Sequence, residues 1–125
     1  MRLLLDTHIL YWWFYDTHRL STPAVKAIKD ADEVLVSAAS FWEIAIKVRL
    51  GKLKLDFDEL VSLTRTNGFR ELPVFVRHTF AVSTLPRHHS DPFDRLLVAQ
   101  AMTEPLHLIT ADNQLVPYSK LIILV

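Results

Sequence analysis

Four carboxylates carry the chemistry open to this chain, each joined to an apolar run: Asp6 in LLLDTH, Glu43 in SFWEIAIK, Asp94 in DPFDRLLVAQA and Asp112 in LITAD. A single acid beside a hydrophobic strand is ordinarily a cap or turn residue. Four that converge would repel one another, and a divalent cation relieves that repulsion. An all-oxygen donor set favours Mg²⁺ or Mn²⁺. His88 and His89 invite a zinc reading, but neighbouring histidines in a loop lack the i, i+4 spacing of helical ligand pairs.

Each acid also has a plainer reading. Asp6 before Thr7, taken alone, reads as a helix cap, and Asp112 after Thr110 reads as a cap or a ligand. Asp91 and Asp94 around Pro92 resemble a capping box, with Asp91 as the cap. Asp94 nonetheless shares a helical face with Leu97, Val98 and Ala101, a packed stripe rather than open solvent. Glu43 lies among Phe41, Trp42, Ile44, Ala45 and Ile46, where an unpaired carboxylate is costly. Its plainer reading is an i, i+4 pair with Lys47, which contributes about 0.3–0.5 kcal/mol. Thr7 and Thr110 are candidate hydroxyl supports for the acids, or ordinary polar residues at strand ends. Arg95 reads as a partner for Asp91, a phosphate contact or a surface ion pair.

Formal net charge is zero, with 14 basic and 14 acidic side chains, so the average does not announce a nucleic-acid partner. Neutralising four clustered acids would leave the remainder positive, and Lys47, Arg49, Lys52 and Lys54 follow Glu43 in a cluster. The absence of cysteine excludes disulfides and thiolate metal sites and is compatible with a reducing, cytoplasmic compartment. The amino terminus lacks the basic and long apolar regions of a signal peptide, and no segment approaches a membrane span.

The elements that must position the acids alternate. Residues 2–5 read as a buried strand, followed by helix through Ile9–Tyr15, a helix from Ser21–Thr22–Pro23 to about Asp30, and a strand at 33–37. Helix 38–50 stops at Gly51. Another starts at Asp56, where Glu59 suggests a capping box, and ends near Gly68, with Arg65 on its outer face. A strand at 71–74, a helix at 76–84, a loop at 86–90, a helix at 93–102, a strand at 106–110, a short helix at 113–116 and a strand at 121–125 complete the pattern. The alternation predicts one α/β domain over 1–125, a parallel sheet of about five strands covered by helices on both faces. Asp6 and Asp112 then stand at the carboxyl ends of the first and fourth strands. Glu43 and Asp94 lie early in helices that start from the same edge, beside the crevice where such sheets bind ligands. The aromatic run Trp12, Trp13, Phe14 and Tyr15 exceeds what one helical face buries, so any exposed surplus would form a partner groove.

Four stretches, LLLDTHILYWW at 3–13, VSAASFWEIAIKVRLGKL at 36–53, LPRHHSDPFDRLLVAQA at 85–101, and LITAD with the later Tyr118, give the chain a resemblance to PIN-domain ribonucleases of the VapC type, toxins of bacterial toxin–antitoxin pairs. The resemblance covers almost the whole length. Phe41, where the motif often has an aliphatic residue, and the Leu124–Val125 terminus, where an aromatic is frequent, depart from it without touching the acids. It implies that Asp6, Glu43, Asp94 and Asp112 form the catalytic, Mg²⁺- or Mn²⁺-binding quartet, with Asp91 in support. The implied reaction is hydrolysis of an RNA phosphodiester by water that bound metal activates, with no protein nucleophile and His89 able to assist a proton transfer. Lys47, Arg49, Lys52, Lys54 and Arg95 would hold the RNA backbone electrostatically. The resemblance further implies a cognate antitoxin that occludes the pocket with a basic residue and packs on an apolar groove, and a homodimer or toxin–antitoxin hetero-oligomer. Two other classes compete. A catalytically silent PIN-like binding module would share the fold, and a receiver-like phosphorylatable domain would place acids at the same sheet edge. The latter needs adjacent acids after the first strand and a late lysine, whereas Asp6 stands alone and Asn113 follows Asp112.

Overall fold

The computed structural model describes residues 1–125. Five strands, β1 (Arg2–Leu5), β2 (Glu33–Ser37), β3 (Arg70–Leu72), β4 (His107–Thr110) and β5 (Ile122–Leu124), form one parallel sheet in the order β3-β2-β1-β4-β5. Six α-helices connect them: α1 (Thr7–Tyr15), α2 (Thr22–Asp30), α3 (Ala38–Arg49), α4 (Phe57–Thr66), α5 (Val76–Ser83) and α6 (Pro92–Thr103). Two 3₁₀ turns, Thr17–Arg19 and Asn113–Tyr118, complete the chain.

The run Leu3–Leu4–Leu5 sets the layering. Successive strand side chains point to opposite faces, and in the central strand both faces are covered. Leu3 and Leu5 join Ile9, Leu10, Ile28, Ile44 and Leu60 in one core, while Leu4 joins Leu35, Leu97, Val98, Leu108 and Leu115 in the other. Leu4 is paired in register with Leu35 on one side and Leu108 on the other. Truncating it empties the middle of its layer, so Leu4→Ala is expected to cost about 2–5 kcal/mol in urea unfolding with little change in m-value.

Most boundaries follow the local chemistry. Ser21 caps α2 through the Ala24 amide, with Pro23 in the first turn, and α3 and α4 run out into Gly51 and Gly68, both at positive φ. Three expectations need correction. The third strand covers 70–72 rather than 71–74, because Pro73 has no N–H to donate to a ladder. The short helix expected at 113–116 is a longer 3₁₀ segment running to Tyr118. At α4, Asp56 accepts from the amides of Asp58 and Glu59, but the Glu59 carboxylate does not close the capping box and instead accepts from the Tyr15 hydroxyl at 2.9 Å.

With β1 central and the chain crossing from β3 back over to β4, the sheet order reverses between β1 and β4. The carboxyl ends of those two strands flank the crevice that the topology opens, and α1, α3 and α6 all start beside it.

Candidate active site

Asp6 leaves the end of β1 with its amide bonded to the Ile109 carbonyl of β4 at 3.0 Å, so the backbone pins it between the two central strands. Its side chain does not cap α1; it is 3% exposed and turned into the crevice. Thr110, at the end of β4, donates its hydroxyl to Asp6 Oδ2 at 2.5 Å and accepts from the Asp112 amide at 3.0 Å. One hydroxyl therefore orients two of the four acids. Asp112 also caps the following 3₁₀ segment, its Oδ1 accepting from Gln114 N at 2.9 Å, so cap and site residue coincide.

Ser37 caps α3 through the Ala39 amide at 3.0 Å, which starts that helix at the sheet edge and brings Glu43, 6% exposed, into the interior. Lys47 reaches Glu43 Oε2 at 2.9 Å, the i, i+4 pair weighed against a metal role. The other oxygen, Oε1, is buried with no partner, as is Asp6 Oδ1. In α6, Asp91 is the cap, its Oδ1 accepting from Phe93 N and Asp94 N at 2.8 and 3.1 Å. That frees the Asp94 carboxylate to face the crevice above Leu97, Val98 and Ala101, all fully buried.

Asp6, Asp94 and Asp112 line a single cleft of about 330 Å³ with His8, Trp12 and Ala111. Glu43 lies deeper, close enough for its charge to act on both Asp6 and Asp94. Burial, then the charges of Asp6, Asp91, Glu43 and Asp112, push the Asp94 carboxyl up to about 8. Burial also raises Asp6, against the Thr110 hydrogen bond and the His8 charge, which lower it.

His89 is the residue that spacing did not place. Its Nδ1 accepts from the Asp91 amide at 3.1 Å, which puts the imidazole proton on Nε2. Nε2 in turn lies 3.0 Å from Asp112 Oδ2 and 3.3 Å from Asp94 Oδ2. The three side chains present ligand-type atoms within 4.8 Å of one another. In this tautomer, however, His89 is a donor that draws the two carboxylates together. The loop carrying it is fixed from a distance: the Tyr118 hydroxyl accepts from the amides of His88 and His89 at 3.1 and 2.9 Å. No local sequence signal forecasts that link. Tyr118→Phe removes the acceptor, and deuterium exchange of the His88 and His89 amides is expected to accelerate about tenfold, in line with the loss of a single hydrogen bond.

The remaining candidates divide. Thr7 donates to Ser40 Oγ at 2.9 Å, tying α1 to α3 rather than touching an acid. Arg95 does not pair with Asp91. Its guanidinium donates to Pro86 O at 3.0 Å, Val82 O at 3.2 Å and the Tyr118 hydroxyl at 3.2 Å, which ties α6 to the end of α5 and to the loop that follows it. A phosphate contact would require giving those bonds up. Lys47 contacts Glu43, while Arg49, Lys52 and Lys54 are exposed and take no part in lining the cleft. Besides Lys47, the basic side chains adjoining the acids are those of the 87–90 loop, where the sequence drew attention to the two histidines and not to Arg87.

Comparison with known proteins agrees with this architecture. The chain is 34% identical over 120 residues to Ribonuclease VapC22 of Mycobacterium tuberculosis, covering 90% of this chain and 88% of that protein. Its fold is similar to that in the crystal structure of VapBC2 from Rickettsia felis bound to a DNA fragment from their promoter, with TM-score 0.73 and 17% identity over 100% of this chain and 98% of the other. It is also similar to a chain of a toxin–antitoxin complex from Klebsiella pneumoniae, with TM-score 0.67 and 16% identity over 97% and 95% of the two chains. The PIN domain family model matches residues 3–121, and the chain belongs to the PIN domain family.

Proposed function

We propose that this protein is a cytoplasmic endoribonuclease toxin that hydrolyses RNA phosphodiester bonds with Mg²⁺ or Mn²⁺ held by Asp6, Glu43, Asp94 and Asp112, and that a cognate antitoxin restrains it. One observation carries the reading: in a relative of a ribonuclease, two buried carboxylate oxygens, Asp6 Oδ1 and Glu43 Oε1, lack any partner inside an acidic cluster. Buried polar atoms are normally satisfied, and four hard oxygen donors suit a divalent cation. When bound, the cation supplies a lowered pKa for water and charge neutralisation at the phosphate.

The chain's own groups do the rest. Thr110 fixes Asp6 and Asp112 relative to each other, Lys47 holds one oxygen of Glu43 and leaves the other free, and His89 aligns Asp94 with Asp112. Water serves as the attacking group, and the reaction needs no protein nucleophile. An apolar groove of about 240 Å³, with Val36, Phe41, Phe57, Val61 and Phe69 in its walls, supplies a seat for the antitoxin.

Purified protein incubated with RNA and Mg²⁺ or Mn²⁺ is expected to cleave it, and both EDTA and Asp6→Asn are expected to stop cleavage. Cleavage that survives both controls overturns the metal mechanism. The antitoxin part is tested by purification from the native host: a small bound chain supports it, and full activity with no bound chain removes it.

A further inference from the structure

We propose that the junction between β3 and α5 is a proton-sensitive latch: neutral His78 holds the connection 73–75 in place, and the charged imidazole releases it. The latch is independent of the chemistry at the acids.

It lies where the start of α5 meets the end of α6. His78 is fully buried, and both ring nitrogens are engaged. Nδ1 lies 3.0 Å from the Phe75 amide, and a backbone N–H can only donate, so Nδ1 is bare and the ring proton sits on Nε2. The Nε2–H donates to Glu104 Oε2 at 2.7 Å, and Arg77 donates to the same oxygen at 2.8 Å. The hydrogen bond from His78, then that from Arg77, holds the Glu104 carboxyl below its usual range.

Gln100 of α6 shows that the site is built for a bare Nδ1. Its Nε2 lies 3.3 Å from Nδ1 and donates to the Pro73 carbonyl at 3.2 Å. The side chain is fully buried, yet Oε1 has no partner, although buried polar atoms are normally satisfied. Turning the amide over does not help while His78 is neutral. The oxygen would then face two acceptors, Nδ1 and the Pro73 carbonyl.

Protonation reverses these preferences. A proton on Nδ1 points at the N–H groups of Phe75 and Gln100, so both contacts are lost. The Gln100 amide then turns to offer Oε1 to the new N–H, which satisfies the orphaned oxygen and withdraws Nε2 from Pro73. Two ties on the connection are released together. The charged groups facing the ring are Glu104, which follows α6, and Arg77 of α5, while Gln100 and the Pro73 carbonyl are uncharged. An imidazolium strengthens the bond to the Glu104 carboxylate. What is lost at Nδ1 is therefore offset at Nε2, and the change is one of local hold rather than of global stability. The released chain carries Val74, Phe75 and Val76, all exposed, so the latch governs how that apolar strip is presented.

Both halves of the latch can be read in one sample by nitrogen-15 NMR. The ring nitrogens report the tautomer, and the exchange protection factor of the Phe75 amide reports closure. Between about pH 8 and about pH 5, a span that brackets the titration of free histidine, His78 is expected to pass from the Nε2–H tautomer to imidazolium. The Phe75 protection factor is expected to fall about tenfold with the same midpoint, as the loss of one hydrogen bond implies. His78→Asn keeps an acceptor near the Nδ1 position and cannot take up a proton, so its Phe75 protection should not follow pH. Glu104→Gln, at a partly exposed position, removes the anion facing the ring and should move the midpoint down by about one pH unit. A ring that stays in the Nε2–H tautomer throughout, or that titrates with no change at Phe75, overturns the latch. So does a Phe75 response that persists in His78→Asn, or a midpoint unmoved in Glu104→Gln.

Discussion

Asp94→Asn is expected to lower RNA cleavage at least about a hundredfold while leaving the folded protein as stable as wild type or more so. Mutating a group that merely supports a metal ligand typically costs about 10–100-fold, and a ligand itself costs no less. The substitution is nearly isosteric and removes only charge. Asp94 is also where the structural alternative is sharpest, because an acid in the first turn of a helix after Asp-Pro can simply serve the helix. The structure assigns that duty to Asp91, whose Oδ1 accepts from the amides of Phe93 and Asp94. Asp94 is left facing three other acids with its carboxyl pushed up to about 8. A carboxylate in that position destabilises the metal-free fold, so its removal should raise the melting temperature as activity falls. A structural acid would show the reverse pair of effects: a lower melting temperature and retained cleavage.

How far the residues themselves announced this site depends on how each is held. Asp6 and Asp112 were legible because short apolar runs marked β1 and β4, and the residue after a parallel strand has nowhere to go but the carboxyl edge. Glu43 and Asp94 were legible because a helix returning toward a parallel strand must start from that edge. The choice between ion pair and metal ligand for Glu43 was not a choice between exclusive states: one oxygen meets Lys47 and the other meets nothing. His89 was legible only as a group able to assist a proton transfer; its contacts with Asp94 and Asp112 escaped because its place depends on a loop with no periodicity, anchored by Tyr118 some thirty residues on and by Arg95 from the following helix. The Asp91 pairing weighed for Arg95 failed for the same reason, since a guanidinium's charge is visible in sequence and the carbonyls that hold it are not. The end of β3 was the simplest miss, because Pro73 inside the expected span already carried the signal.

Stability of the metal-free protein is expected to fall as pH rises from about 4 to about 8, and added Mg²⁺ or Mn²⁺ should restore it most strongly at the upper end. The sign follows from Asp94, whose carboxyl is raised from 3.8 in the free residue to about 8 in the fold. Between those values the native state holds a proton that the unfolded chain has released, and stability declines wherever the native state binds more protons. Asp6, raised by burial, acts in the same direction. Glu104 works oppositely: the hydrogen bond from His78 and the Arg77 pair hold it below 4.5, so its contribution is present above that pH and lost only as pH drops through its lowered value. Its window therefore lies on the acid side and does not cancel the Asp94 limb. In EDTA, the melting temperature should drop by at least about 5 °C between pH 5 and pH 8, a shift that a destabilisation of order 1 kcal/mol produces in a domain of this size. Asp94→Asn should flatten that limb. Because a divalent cation competes with protons for the same oxygens, its stabilisation grows as the acids ionise. A melting temperature that is level from pH 5 to pH 8 in EDTA, or a cation effect no larger at pH 8 than at pH 5, would mean that the four acids do not share one field, and the metal site would lose its physical basis.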